Sequence, residues 1–208
     1  RRQRQMCIRD SYDGVLSEYA VHEAALCFKL PDNMDSISGA LIEPLAVGLH
    51  AVINQAQAHE GQSAVVFGAG CIGLVTLLAL KSVGITRIYV VDVLENRLKK
   101  AKDLGAAEII NGKTTDVVKR LYELTEGKGC DLAFETAGTE IAAEQAIECV
   151  KKGATIVLIG YSSSGRMNLP MSLALDKEVT LKTNFRYRHN YPMAICLLYT
   201  SPSPRDPK

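Results

Sequence analysis

The sequence predicts an α/β protein built on a doubly wound, six-stranded parallel sheet, preceded by a short stretch of a second, β-rich domain. Three observations predict it. Short apolar runs ending in glycine or an acid alternate with stretches whose apolar residues recur at helical spacing. The turn Gly68-Ala69-Gly70-Cys71-Ile72-Gly73 lies between the first such run and the first such helix. Asp92 closes the second run roughly 20 residues further on.

Each element has its own reason. Ser63–Phe67 (SAVVF) is a continuous apolar run, as a strand buried on both faces requires. Residues 72–83 carry Ile72, Val75, Leu78 and Ala79 at helical spacing and stop at Gly84, a natural C-cap. Arg87–Asp92 (RIYVVD) is the second strand. Residues 95–104 form a helix with Leu98, Ala101 and Leu104 inward and Lys99, Lys100 and Lys102 outward. A short third strand covers 108–110. A helix over 115–125 takes Thr114 or Thr115 as its cap and sets Val117, Leu121 and Leu124 on one face. Residues 131–135 (DLAFE) are the fourth strand, 140–152 a helix closed by Gly153, and 154–159 (ATIVLI) the fifth strand. Residues 179–185 (VTLKTNF) alternate enough to lie at or near an edge. Strands joined by crossover helices make a parallel sheet with helices on both faces.

Upstream, residues 38–52 read as a helix leading into the first strand. Residues 16–21 alternate like a strand, and 27–31 end in an extended Leu-Pro; no crossover helix accompanies them. The expected division is therefore a β-type remnant over 12–43 and the parallel-sheet domain over 44–195. The Arg-rich start (1–11) and the Ser-Pro and Asp-Pro end (196–208) are read as non-native or disordered tails. Both resemble translated sequencing-adapter read-through, so the chain is expected to be a fragment.

Composition narrows the function. Net charge is +1 over 208 residues, which gives no electrostatic argument for nucleic acid or an anionic membrane. No apolar run approaches the roughly 18 residues of a bilayer span. Six scattered cysteines suggest a reducing compartment, and with no signal peptide the expected location is the cytoplasm.

The glycine turn carries the chemistry. Gly68 permits the tight strand-to-helix turn, Gly70 lets a pyrophosphate approach the backbone, and Gly73 lets the helix pack on the sheet. The pyrophosphate would meet the N–H groups at the helix start. Asp92 is placed to accept both ribose hydroxyls and to repel a 2′-phosphate, favouring NAD over NADP. Arg97 could lie over the adenine or pair with a phosphate. The other strand ends, at Glu135-Thr136-Ala137-Gly138, at Ile159-Gly160-Tyr161 and at Asn184-Phe185-Arg186-Tyr187, face the same crevice. Gly160 reads equally as a plain turn glycine or as a close approach to a flat ring. Glu43, among Leu41, Ile42, Leu45 and Val47, is costly unless paired, metal-bound or reaching water. His50 and His22 read as hydrogen-bonded structural histidines.

The run LIEPLAVGLHA from Leu41, VVFGAGCIGL from Val65, Asp92 and the Asn184-Phe-Arg-Tyr end together resemble the zinc-dependent medium-chain dehydrogenases, most closely their sorbitol (L-iditol 2-) and xylitol dehydrogenase branch. The resemblance spans roughly residues 12–195. It implies a Rossmann domain joined to a GroES-like catalytic domain. The implied reaction passes hydride from a polyol's secondary carbinol to NAD, with zinc polarising the alcohol. It assigns Ile72, Asp92 and Arg97 to NAD, and Ile159, Gly160 and Tyr161 to the nicotinamide side. Phe185 would meet the carboxamide through its backbone, while Arg186 and Tyr187 would face the polyol. Glu43 would lie beside zinc, directly or through water, and hold a substrate hydroxyl. The family's upstream Cys and His-Glu ligands have no counterpart before Glu43, so no complete metal site is expected in this chain. NAD binding without turnover, and a dimer or tetramer in the intact enzyme, follow from the resemblance. A non-catalytic dinucleotide module and a threonine- or butanediol-type dehydrogenase are the alternatives.

Overall fold

The computed structural model describes residues 17–200, and the chain divides between Pro31 and Asp32 into two units. The expected tail over 1–11, and the part of 196–208 beyond residue 200, lie outside the described residues. In the first unit, residues 17–31 hold a single 3-10 turn, Ala24–Leu26, and no strand. The strand expected over 16–21 is therefore not formed in its described part. Tyr19 and Val21 are exposed, and an alternating segment without a neighbouring strand has no ladder to join.

The second unit begins with helix α1 (Ser36–Ala40), whose cap Asp35 accepts the Ser38 N–H at 2.6 Å. Helix α2 (Ile42–Leu49) runs on into a π-helical turn, His50–Gln55. The first four sheet strands then alternate with helices: β1 (Ser63–Phe67), α3 (Cys71–Ser82), β2 (Arg87–Asp92), α4 (Glu95–Asp103), β3 (Glu108–Asn111), α5 (Val117–Leu124) and β4 (Cys130–Glu135). Helix α6 (Glu140–Glu148), β5 (Val150–Leu158), α7 (Met171–Asp176), β6 (Thr180–Thr183) and α8 (Tyr191–Thr200) complete it.

All pairings are parallel and the order is β3-β2-β1-β4-β5-β6. This is the expected doubly wound sheet, with its topological switch between β1 and β4. Strand residues alternate between two cores. Ala64, Val66, Ile88, Val90, Phe134 and Val157 pack on one side with α2, α3 and α8. Val65, Phe67, Val91, Ala133 and Ile156 pack on the other with α5 and α6. Every residue of β1 is buried, which is why its sequence is apolar without alternation.

Three boundaries differ from expectation. The helix expected over 140–152 ends at Glu148, because Val150 pairs with Cys130 and opens β5; Gly153, with φ of +72°, lies in the irregular stretch between the two paired sections of β5. Helix α5 is capped by Asp116, which accepts the Lys119 N–H, while Thr114 and Thr115 fold back on Asn111 O. The tail expected from residue 196 is helical as far as Thr200, as the end of α8, whose Ala194 is fully buried on α2's side of the sheet.

The amino-terminal edge of the sheet is tied by ions. The Asp131 carboxylate accepts the Ser63 N–H and hydroxyl, both at 2.7 Å, and pairs with Lys151. It thereby joins β1, β4 and β5 at their starts. Lys177 Nζ donates to the carbonyls of Ile147, Glu148 and Val150 at 2.6–3.1 Å, holding the α6–β5 junction.

Candidate dinucleotide site

The carboxyl ends of the strands gather most of the residues singled out above. β1 delivers Gly68, whose φ of +96° favours glycine; a Cβ there would also lie 2.8 Å from Thr136 Oγ1. Thr136 donates that hydroxyl to Phe67 O at 2.8 Å, fastening the β4 end to the turn. A Cβ on Gly73 would overlap Gly68 O, so this glycine is required by the contact between helix and turn. Gly70 differs. It is the N-cap of α3 with ordinary extended dihedrals, and a Cβ there meets nothing within 4 Å. The space over Gly70 is open, and the first N–H groups of α3 have no intrahelical partner by helix geometry. That is a cradle for a phosphate group.

Asp92 is 8% exposed at the end of β2. Its Oδ2 accepts the Ala69 N–H at 2.6 Å, and its Oδ1 accepts the N–H groups of Val93 and Leu94 at 2.7 and 2.9 Å. A carboxylate offers about four acceptor positions, so about one remains. As it stands Asp92 can take one hydroxyl; a second would have to displace a backbone N–H. Arg97, half-exposed, holds Nη1 at 3.9 Å from Asp92 Oδ2, close enough to soften the local negative charge. Ile72 is half-buried on the first turn of α3.

On the other side of the switch, Glu135 is fully buried. Its Oε1 accepts the N–H groups of Ala137 and Gly138 at 2.8 and 2.7 Å, and its backbone oxygen accepts those of Ile159 and Gly160 at 2.8 and 3.0 Å. Burial pushes the Glu135 carboxyl up, against the pull of the neighbouring N–H groups. Gly160 is a glycine for a third reason, beyond the two open from sequence. A Cβ would collide with the Gly138 backbone and lie 2.8 Å from Glu135 Oε2.

Ile159 is buried, whereas Tyr161 is largely exposed and meets the Phe185 ring edge-on at 6.2 Å. The Arg186 guanidinium lies over Phe185, 5.3 Å from its centroid. Exposed Tyr161 and half-buried Phe185 and Arg186 thus form one aromatic and cationic cluster. Tyr187 has a different partner. Its hydroxyl lies 3.0 Å from that of Tyr191, with the rings edge-on. Burial, the Tyr191 hydroxyl and the charge of Glu43 push the Tyr187 phenol far above its ordinary range. Glu43 itself is exposed, so the desolvation cost expected for it does not arise in this structure. His50 is hydrogen-bonded to Asn54 at 3.1 Å, as a structural histidine would be, and His22 is exposed. Tyr191 escapes the sequence reading; its only trace there is its spacing of four residues from Tyr187.

Zinc, implied by the resemblance, does not fit the described residues alone. Among them no three His, Cys, Asp or Glu side chains gather where a metal ion could be held, and Glu43 is a single exposed carboxylate. NAD fits better: the open cradle at Gly70 and the preset carboxylate of Asp92 match its pyrophosphate and ribose.

The chain is 39% identical over 195 residues to sorbitol dehydrogenase of Ovis aries, covering 92% of the chain and 54% of that protein. A crystal structure of an Escherichia coli oxidoreductase/dehydrogenase of unknown specificity superposes with a TM-score of 0.84 at 42% identity, covering 89% of the chain and 53% of its own. A second, an alcohol dehydrogenase from E. coli CFT073 complexed with NADH, gives 0.82 at 29% identity, covering 90% and 55%. The chain spans about half the length of the curated relatives it matches. Residues 71–199 match the family model described as zinc-binding dehydrogenase, and on that match the chain belongs to the zinc-binding dehydrogenase family.

Proposed function

We propose that this chain is the NAD-binding portion of a zinc-dependent polyol dehydrogenase acting on a sorbitol- or xylitol-like substrate. The observation that carries the reading is the Asp92 bond to Ala69 N–H. It makes the ribose carboxylate and the glycine turn one preset unit, so adenosine and pyrophosphate are recognised together. Asp92 accepts a ribose hydroxyl and repels a 2′-phosphate. Gly70 and the first turn of α3, with Ile72, receive the pyrophosphate, and Arg97 flanks the adenosine. Ile159, Gly160 and Tyr161 line the nicotinamide, and Phe185 meets its carboxamide. NAD, when bound, accepts the hydride. Arg186 and Tyr187 face the polyol, with Glu43 holding one of its hydroxyls.

The described residues assemble no zinc donor set, so activation of the alcohol falls to other parts of the protein, and this chain is expected to bind NAD without oxidising polyol. The intact protein is read as a cytoplasmic dimer or tetramer. The edge strand β6, with two of its four residues exposed, supports a pairing edge there. No helix among the described residues is long and apolar enough to cross a membrane.

Titration of the 208-residue chain with NADH and NADPH, followed by nicotinamide fluorescence, tests the cofactor reading. NADH should bind at least roughly tenfold more tightly, the scale of 1.4 kcal/mol. Equal binding, or none, overturns it. Sorbitol oxidation by this chain alone would overturn the claim that it lacks turnover.

A further inference from the structure

Among the described residues, two buried side-chain polar atoms have no hydrogen-bond partner, Glu135 Oε2 and Asn184 Oδ1. Both lie at carboxyl ends of the sheet, in β4 and just after β6, flanking the end of β5. Buried polar atoms are ordinarily partnered, and one left over calls for a reason. Glu135 is the more demanding of the two. Its Oε1 is saturated by two N–H groups, while its Oε2 lies against Gly160 and completes no hydrogen bond, feeling the nearby Gly160 and Thr139 N–H groups only at a distance. The cover over it is thin: Gly160 and Gly138 are half-buried, Ala137 is exposed, and neither glycine has a side chain. An ionised carboxyl in this position is an incompletely compensated negative charge under a glycine surface.

The dinucleotide reading above, on which this inference rests, says what passes over that surface. The phosphate cradle belongs to β1 and the adenosine carboxylate to β2, so the remaining half of a dinucleotide runs to the opposite side of the switch, over the ends of β4 and β5. That half ends in a ring that is cationic in NAD and neutral in NADH.

We propose that Glu135 is a buried counter-charge for the oxidised nicotinamide, and that it tilts this site toward NAD relative to NADH. Its carboxylate acts through the Gly160 and Gly138 backbone without touching the ring, so it is a positioning and selectivity residue. Burial raises the cost of its charge, and a cation above it offsets that cost. The glycines at 138 and 160 keep the distance short, since any side chain at either would collide with the other strand end.

The test uses the 208-residue chain and three ligands: NADH by fluorescence, and NAD and ADP-ribose by competition against it. ADP-ribose lacks the ring and reports the adenosine half alone. Glu135→Gln keeps an acceptor for Ala137 and Gly138 and removes the charge. Its expected effect is a loss of NAD affinity relative to NADH on the order of tenfold, as for a unit charge several ångströms away in a protein medium, with ADP-ribose unchanged. An unchanged NAD-to-NADH ratio overturns the proposal. A parallel loss of all three ligands also overturns it, since that is what a purely structural residue would give. If the Gln variant does not fold, Glu135→Asp draws the charge back from Gly160 and should move the ratio the same way by a smaller factor; an unchanged ratio there is equally fatal. Wild-type chain that binds neither ADP-ribose nor NADH would instead sink the dinucleotide reading itself.

Discussion

Asp131 and Glu135 stand four residues apart on one strand, and they have opposite fates. At the amino end of β4, Asp131 is met on both oxygens, by Ser63 and by Lys151. Burial alone would raise its pKa, but Lys151 and the two Ser63 donors outweigh it and hold the carboxyl below its ordinary range. At the carboxyl end, Glu135 is buried more deeply, completes hydrogen bonds on one oxygen only, and is pushed up by burial. One end of the sheet completes its own hydrogen bonds and serves folding. The other leaves two acceptors without a hydrogen bond and open backbone over Gly70. The same chemistry serves stability at one end and, on the proposed reading, a dinucleotide at the other.

The largest effect expected from this division is at Gly73. A methyl there overlaps Gly68 O, which is backbone and cannot swing aside. Gly73→Ala should cost about 3 kcal/mol or more, at the top of the overpacking range, and lower the chemical-denaturation midpoint accordingly. A variant of wild-type stability would show that the helix and turn are not packed as described.

Next is Asp131→Asn, which leaves an acceptor for Ser63 and removes the ion pair. The expected loss at pH 7 is about 1–3 kcal/mol, with NADH affinity of the folded protein unchanged. The pH dependence has a definite sign. A lowered folded-state pKa stabilises the protein above the unfolded value near 3.8, and that contribution is lost as pH falls through the lowered value. The wild-type chain should therefore lose more stability than the Asn variant on acidification below about pH 5. Denaturation curves across pH 2–7 test this, and parallel curves would refute it.

The two ends also differed in how far the sequence disclosed them. The sheet was legible because its strands are buried on both faces, so SAVVF and RIYVVD read as apolar runs with no need of a partner. The glycine turn and Asp92 were legible because their jobs are set by local backbone. Residues 150–152 read as helix in the sequence and are strand in the structure for the opposite reason. Gly153 after an amphipathic stretch looks like a helix stop, and only the pairing of Val150 with Cys130, distant in sequence, makes it a strand. The same holds in the site. The strand-end position of Glu135 could be read, but its half-satisfied carboxyl depends on Ala137, Gly138 and Gly160 meeting in space. The apolar neighbours of Glu43 in sequence point to a costly burial, and the structure turns it to the surface.

Gly70 sharpens the comparison without touching stability. Nothing lies within 4 Å of a Cβ there, and its φ of −74° and ψ of −171° suit alanine. Gly70→Ala should leave stability within about 0.5 kcal/mol of wild type and weaken NADH binding roughly tenfold. Gly70 and Gly73, three residues apart, would then separate ligand approach from packing. Loss of stability in Gly70→Ala, or unchanged NADH binding, would count against the open cradle.

The smallest effect is expected at Arg97. Its guanidinium is half-exposed and 3.9 Å from Asp92, so as an ion pair it contributes roughly 0.5 kcal/mol or less. Its influence should show in selectivity. Arg97 is the nearby cation that softens the repulsion between Asp92 and a 2′-phosphate, and removing it leaves that carboxylate uncompensated. Arg97→Ala should keep NADH affinity within about threefold and weaken NADPH by several-fold more, widening the preference between the two. If both cofactors weaken equally, Arg97 lies over the adenine, which they share. If neither changes, the selectivity at this end of the sheet rests on Asp92 and the three backbone N–H groups that hold it in place.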